Sequence, residues 1–195
     1  KELYDQHWIP QEDIEKGITK LSSENDWMAL QAAHISIESA GLARKNRGKL
    51  VPVQKRIQLL EEQYRSDLFI RLLQAFTTKF NWAYLDGYPK QETGQVGFLF
   101  LLYLLKAYGD DKRDLHFYTE RYFRAFPSMR YKERYDEYSR YRSDERAIHT
   151  RFFKRFTEWF GFTTSQSGGE DYLKRHVIIQ RTPLLADLIV LCKEE

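Results

Sequence analysis

Cysteine is almost missing from this chain of 195 residues. Cys192 stands alone, so an internal disulfide is excluded, and so is any metal site built on a cysteine pair. Long apolar runs are missing too. The longest, "VGFLFLLYLL" (96–105), is about half of the roughly 20 residues a membrane-spanning helix needs. No signal-peptide pattern opens the chain. These absences predict a cytoplasmic protein with no membrane partner. The opening "KELYDQ", without Met, is what an excised piece of a longer protein would show. Aromatics at 15% argue against disorder.

Net charge is only +3, but it is unevenly spread. Residues 1–30 hold three Lys and seven Asp or Glu, a balance of −4. Residues 31–60 hold six Lys or Arg against Glu38, a balance of +5. Those six are Arg44, Lys45, Arg47, Lys49, Lys55 and Arg56, with no acid interleaved. They flank an Asn46-Arg47-Gly48 turn signal between two short segments that alternate apolar and basic residues, the pattern of a small hairpin.

The remaining periodicity is helical. Helices are expected over 11–23, over 26–40 with Asp26 as N-cap and Gly41 as stop, and over 54–80 with a break near 65–67. Within 26–40 the apolar stripe reads Trp27, Leu30, His34 and Ile37. "NWAYLDGYPKQETG" (81–94) is a loop by composition, expected to be pinned by its aromatics. Residues 95–109 are apolar nearly all round, which predicts a central helix with Phe98, Leu101, Leu102 and Leu105 enclosed. Further helices follow over 110–127 and 131–161, the latter divided near Ser143-Asp144. A strand "VIIQ" then precedes a helix capped by Thr182 with Pro183 at its first position.

Two stretches share one plan. In the first, a helix is followed by Ala40-Gly41-Leu42, the basic turn, Leu50-Val51 and the helix Gln54–Glu61. In the second, Ala147–Phe160 is followed by Gly161-Phe162, a polar turn, Val177-Ile178-Ile179 and Pro183–Leu191. Helix, glycine stop, hairpin, helix is an order that resembles the winged-helix superfamily. "AGLARKNRGKLVPV" resembles the wing of bacterial winged-helix regulators. The first copy departs from them in carrying Pro52-Val53 where Thr or Ser often precedes the final helix. The implied fold is mainly α: a helical bundle around the 96–105 helix, with two winged-helix-like units carrying short β-hairpins. It is expected as one compact unit divided into 1–62, 63–143 and 144–195.

The resemblance implies a nucleic-acid contact through Arg44, Lys45, Arg47, Lys49, Lys55 and Arg56. The helix before this wing, "WMALQAAHISIESA", has no Lys or Arg with which to read a groove, so nucleic acid is the disfavoured partner. A second candidate surface is the Arg/Tyr-rich segment of 119–159, where Tyr131, Arg134, Tyr135, Tyr138 and Arg142 would form a protein interface. Acids among them explain the same segment as a solvated helix face. His7, His34, His116, His149 and His176 are scattered without metal-ligand spacing. Asp86, in "LDGYP", reads as a turn residue. No catalytic set assembles, and no cofactor is implied. The expected function is a non-catalytic protein-interaction or scaffolding module, bound to a protein partner or to the remainder of a longer chain.

Overall fold

The computed structural model describes residues 2–7, 9–131, 137–168 and 176–189, with backbone alone for Glu12 and 137–142. It is mainly helical, with one two-stranded and one three-stranded sheet. The chain divides into two compact units, Lys1–Asn81 and Trp82–Glu195. The limits expected at 62/63 and 143/144 both fall inside these units.

In the first unit the expected helix over 11–23 shrinks to α1 (Glu12–Glu15). Hydrogen bonds fix the rest of this arm. Tyr4 packs edge-on against Trp27 with centroids 5.1 Å apart, and Trp27 Nε1 donates to the Ile9 carbonyl. Gln11 donates to the Asp26 carbonyl and accepts from the Met28 amide. Asp26 does not cap the next helix directly. Its carboxylate accepts the Ser22 and Ser23 amides, closing a capping box around Glu24–Asp26 and holding its pKa below the usual range. Helix α2 is Met28–Ser39, and it buries Ala29, Gln31, Ala32 and Ser36. The buried face is therefore small and partly polar, rather than the stripe through Leu30 and His34 that apolar periodicity suggests.

Strands β1 (Ala43–Asn46) and β2 (Lys49–Pro52) pair antiparallel. Their turn has positive φ at both Arg47 (48°) and Gly48 (77°), the primed pattern that matches hairpin twist. Short 3₁₀ segments over Gln54–Leu60 and Glu62–Tyr64 lead to α3 (Arg65–Thr78). The break expected near 65–67 is present, with Tyr64 at the N-cap position.

In the second unit α4 (Phe98–Tyr108) and β3 (Arg113–Asp114) precede α5 (Leu115–Ala125), which Asp114 caps by accepting the His116 amide. Helix α6 (Glu137–Ile148) runs without a break at Ser143-Asp144 into a π-helix, His149–Glu158. Strands β4 (Thr163–Gly168) and β5 (His176–Arg181) follow, then α7 (Pro183–Leu188). The sheet order is β3-β5-β4, antiparallel throughout.

The two units repeat one local construction, bond for bond. Gly41 (φ 65°) and Gly161 (φ 72°) each end a helix in the left-handed region, where a Cβ is disfavoured. The next amide reaches back five residues in both: Leu42 to the Ile37 carbonyl at 3.0 Å, Phe162 to Thr157 at 2.7 Å. Each of these residues then accepts from the residue after the hairpin, Val53 at 2.8 Å and Thr182 at 2.9 Å. The helix end is capped differently. Arg56 donates to the Ala40 and Gly41 carbonyls, whereas the Thr182 hydroxyl donates to Gly161.

The core of the second unit is aromatic. Trp82, Phe152 and Phe156 are fully buried and in mutual ring contact. Helix α4 buries Leu101, Leu102, Leu104 and Leu105, with Phe98 half-buried. It is not enclosed all round, because Leu99 is 68% and Tyr103 46% exposed.

Candidate functional site

Three features of the folded chain concentrate chemistry: a buried arginine clamp, the basic hairpin, and the open face of α4.

The clamp is formed by the π-helix. Its wider i→i+5 winding makes residues four to five apart neighbours, so Arg151 and Arg155 share one face. Arg151 is fully buried and meets Asp86 side-on, Nε to Oδ2 at 2.6 Å and Nη2 to Oδ1 at 3.0 Å. Its remaining hydrogens go to the carbonyls of Tyr88, Lys90 and Thr93 at 3.2, 2.5 and 3.1 Å. Arg155 donates to the Trp82 and Tyr84 carbonyls at 2.8 and 2.7 Å and lies 3.8 Å from Asp86. Tyr122 completes the arrangement by donating to the Val96 carbonyl and accepting the Gly94 amide. Burial pushes the Tyr122 hydroxyl up to about 12 and lowers Arg155. The 82–97 loop is thus wrapped around two guanidinium groups. Trp82 is buried there, but arginines, not aromatics alone, hold it. With every donor of Arg151 committed to this loop, Asp86 and Arg151 form a structural pair rather than an acid–base site.

The clamp was not visible in the sequence. The available signal was an Arg at i and i+4 within "RFFKRF", cations in a segment otherwise bound for the core.

The hairpin is the second feature. Arg44, Lys45, Arg47 and Lys49 are all exposed, and no carboxylate of the described residues lies within ion-pair distance of them. The register puts Arg44, Asn46, Lys49 and Val51 on one face, and Ala43, Lys45, Leu50 and Pro52 on the other. Residues 44–50 are all exposed, so the hairpin is seated only at its base, by Ala43 and Val51. Four-residue strands are too short for one whole face of the hairpin to pack back onto the helices. Lys55 is exposed at the start of the next segment. Arg56 points elsewhere: with Arg71 and Lys79 it brings three cations to the carbonyl end of α2, at Ser39, Ala40 and Gly41.

The third feature is apolar. Leu99 (68% exposed), Tyr103 and Ala107 follow one another at spacings of four along α4, the repeat of a single helix face, and Val96, just before the helix, is exposed as well. Among the sequence-predicted interface residues, Tyr131 is half-buried and donates its amide to the Asp144 carboxylate. Arg134 and Tyr135 lie outside the described residues, as do the side chains of Tyr138 and Arg142. Among the described residues no group of three or more His, Cys, Asp or Glu is placed to hold a metal ion. Among them, too, no helix is long and apolar enough to cross a membrane.

Comparison of the chain with protein-family models, curated proteins and solved structures finds no match.

Proposed function

We propose that the chain is a non-catalytic protein-interaction module whose docking face is the open side of α4. The observation that carries this reading is the exposed stripe Leu99, Tyr103 and Ala107. Amphipathic helix faces of this spacing recognise partner helices or grooves through a few apolar anchors, and Tyr is enriched among residues that dominate binding. Three buried titratable groups of this unit, Asp86, Arg151 and Tyr122, are spent on holding a loop. Winged-helix-like architecture remains our reading of both units, supported by the repeated glycine stop and hairpin and by the β3-β5-β4 order. The test is the double change Leu99→Asp/Tyr103→Asp in the full chain. Stable co-purifying protein should disappear while thermal unfolding is unchanged. Retention of the partner by this variant contradicts the proposal.

A second reading has its own observation. The basic hairpin carries cations on both faces and at its tip, so it suits a groove with phosphates along both walls, which a two-stranded ribbon can enter. Such contacts would be independent of base sequence. Arg56 adds nothing to this footprint, because its guanidinium caps α2. Measuring duplex binding of the chain and of its Arg47→Ala/Lys49→Ala variant tests it.

A further inference from the structure

Strand β4 is the outer strand of the three-stranded sheet. Its inner edge pairs with β5 over six residues, from Thr163↔Arg181 to Gly168↔His176. Among the described residues nothing pairs with its outer edge, and Thr164, Gln166, Ser167 and Gly168 are exposed. At the opposite edge of the sheet β3 is only two residues long.

An open edge is a template for another strand, and proteins blunt such edges with charge, proline or shortness. The basic hairpin follows that practice, with Arg44, Lys45, Lys49 and Pro52 along its two strands. So does the short β3. Strand β4, "TTSQSG", has neither a charged residue nor a proline. Its side-chain ties, from the Ser165 hydroxyl to the Glu158 carboxylate and between the Thr163 and Thr157 hydroxyls, both run back to the π-helix.

We infer that β4 is a self-association edge, occupied by β4 of a second copy of this chain. Antiparallel pairing about a two-fold axis joins the sheets in the order β3-β5-β4-β4-β5-β3. The contact is isologous, and it closes at two copies. Composition favours a second copy as occupant. Thr, Ser and Gln meet Thr, Ser and Gln, which supply favourable cross-strand pairs and set no like charges opposite each other. The same geometry at the basic hairpin would oppose lysines and arginines. This contact is distinct from the α4 face, and neither depends on the other.

The test is sedimentation equilibrium of the full chain from low micromolar concentration upward. The mass should rise from the 23.4 kDa of one copy toward twice that value. Thr164→Lys/Gln166→Lys puts two exposed cations on one face of β4, so like charges meet across the axis. This variant should stay monomeric with an unchanged unfolding midpoint. Amide exchange gives a second readout that needs no variant: β4 amides in the wild type should gain protection with concentration, while the 44–51 amides do not. A wild-type chain that stays monomeric overturns the inference and leaves the edge to an extended segment of another protein. A dimer that survives in the lysine variant, or β4 amides indifferent to concentration, overturns it equally.

Discussion

Arg151 and Asp86, 65 positions apart, meet side-on at 2.6 and 3.0 Å with no exposure of the arginine. The pair fixes Asp86 within the loop that leads to α4. Breaking one side of a buried pair strands the other charge, which typically costs about 3–5 kcal/mol. Arg151→Met and Asp86→Asn should each destabilise by that order in urea unfolding. The double variant should cost clearly less than the sum, because the partners share one interaction. Additive losses would mean the two residues act separately.

Leu85, next to Asp86, sits at φ 51° with its side chain exposed. A left-handed conformation costs an ordinary L-residue roughly 1–2 kcal/mol, and Asn bears it better. Leu85→Asn should therefore stabilise the protein, by about 0.5–1 kcal/mol. A loss of stability would show that the Leu side chain makes a contact that outweighs the strain.

Helix α4 separates core from surface within one turn. Leu102→Ala removes a buried side chain and should cost about 2–5 kcal/mol. Leu99→Ala should stay within about 0.5 kcal/mol of the wild type, as exposed substitutions do. Equal effects would contradict the orientation of the helix.

His149 supplies a pH dependence. Its Nε2 is buried without a hydrogen-bond partner among the described residues. Burial, reinforced by Lys154, lowers its pKa from 6.5 to about 4. Between these values the unfolded chain takes up a proton that the folded chain refuses. Stability is therefore unaffected above pH 6.5 and falls as the pH drops toward 4, by about 3 kcal/mol in all. The His149→Phe variant should lose this part of the acid sensitivity, which unfolding midpoints at pH 7 and pH 4.5 will show.

The basic hairpin should bind duplex DNA no more tightly than about 10 µM at physiological salt, within the non-specific range. Arg47→Ala/Lys49→Ala should reduce the log–log salt slope by nearly one unit for each phosphate that is no longer neutralised, on any sequence. Sub-micromolar binding abolished by this variant would put nucleic acid ahead of a protein partner.

Much of the local architecture was legible in the residues. Gly41 and Gly161 mark helix stops, Asn46-Arg47-Gly48 marks the hairpin turn, and Thr182-Pro183 marks the last helix start, because each rests on backbone chemistry contained in a few neighbouring positions. What depends on distant partners was not legible. Residues 95–109 read as an enclosed helix, since periodicity cannot show that Leu99 and Tyr103 stay open on one side. Arg56 read as part of a basic surface, yet 15 residues back along the chain lies the Gly41 carbonyl it caps. The Asp86–Arg151 pair has no local signature at all. The short strand Arg113–Asp114 was hidden for the same reason, as only its pairing with Ile178 and Ile179 defines it.

The central claim, a protein-docking face on α4, is tested most directly by photo-crosslinking. A photoreactive residue placed at Leu99 in the full chain, expressed in its native cells, should yield one discrete adduct with another protein. The same residue at exposed Lys112 should not yield it. A Leu99 probe that reacts only with its own chain, or yields the same products as the Lys112 probe, would contradict the claim.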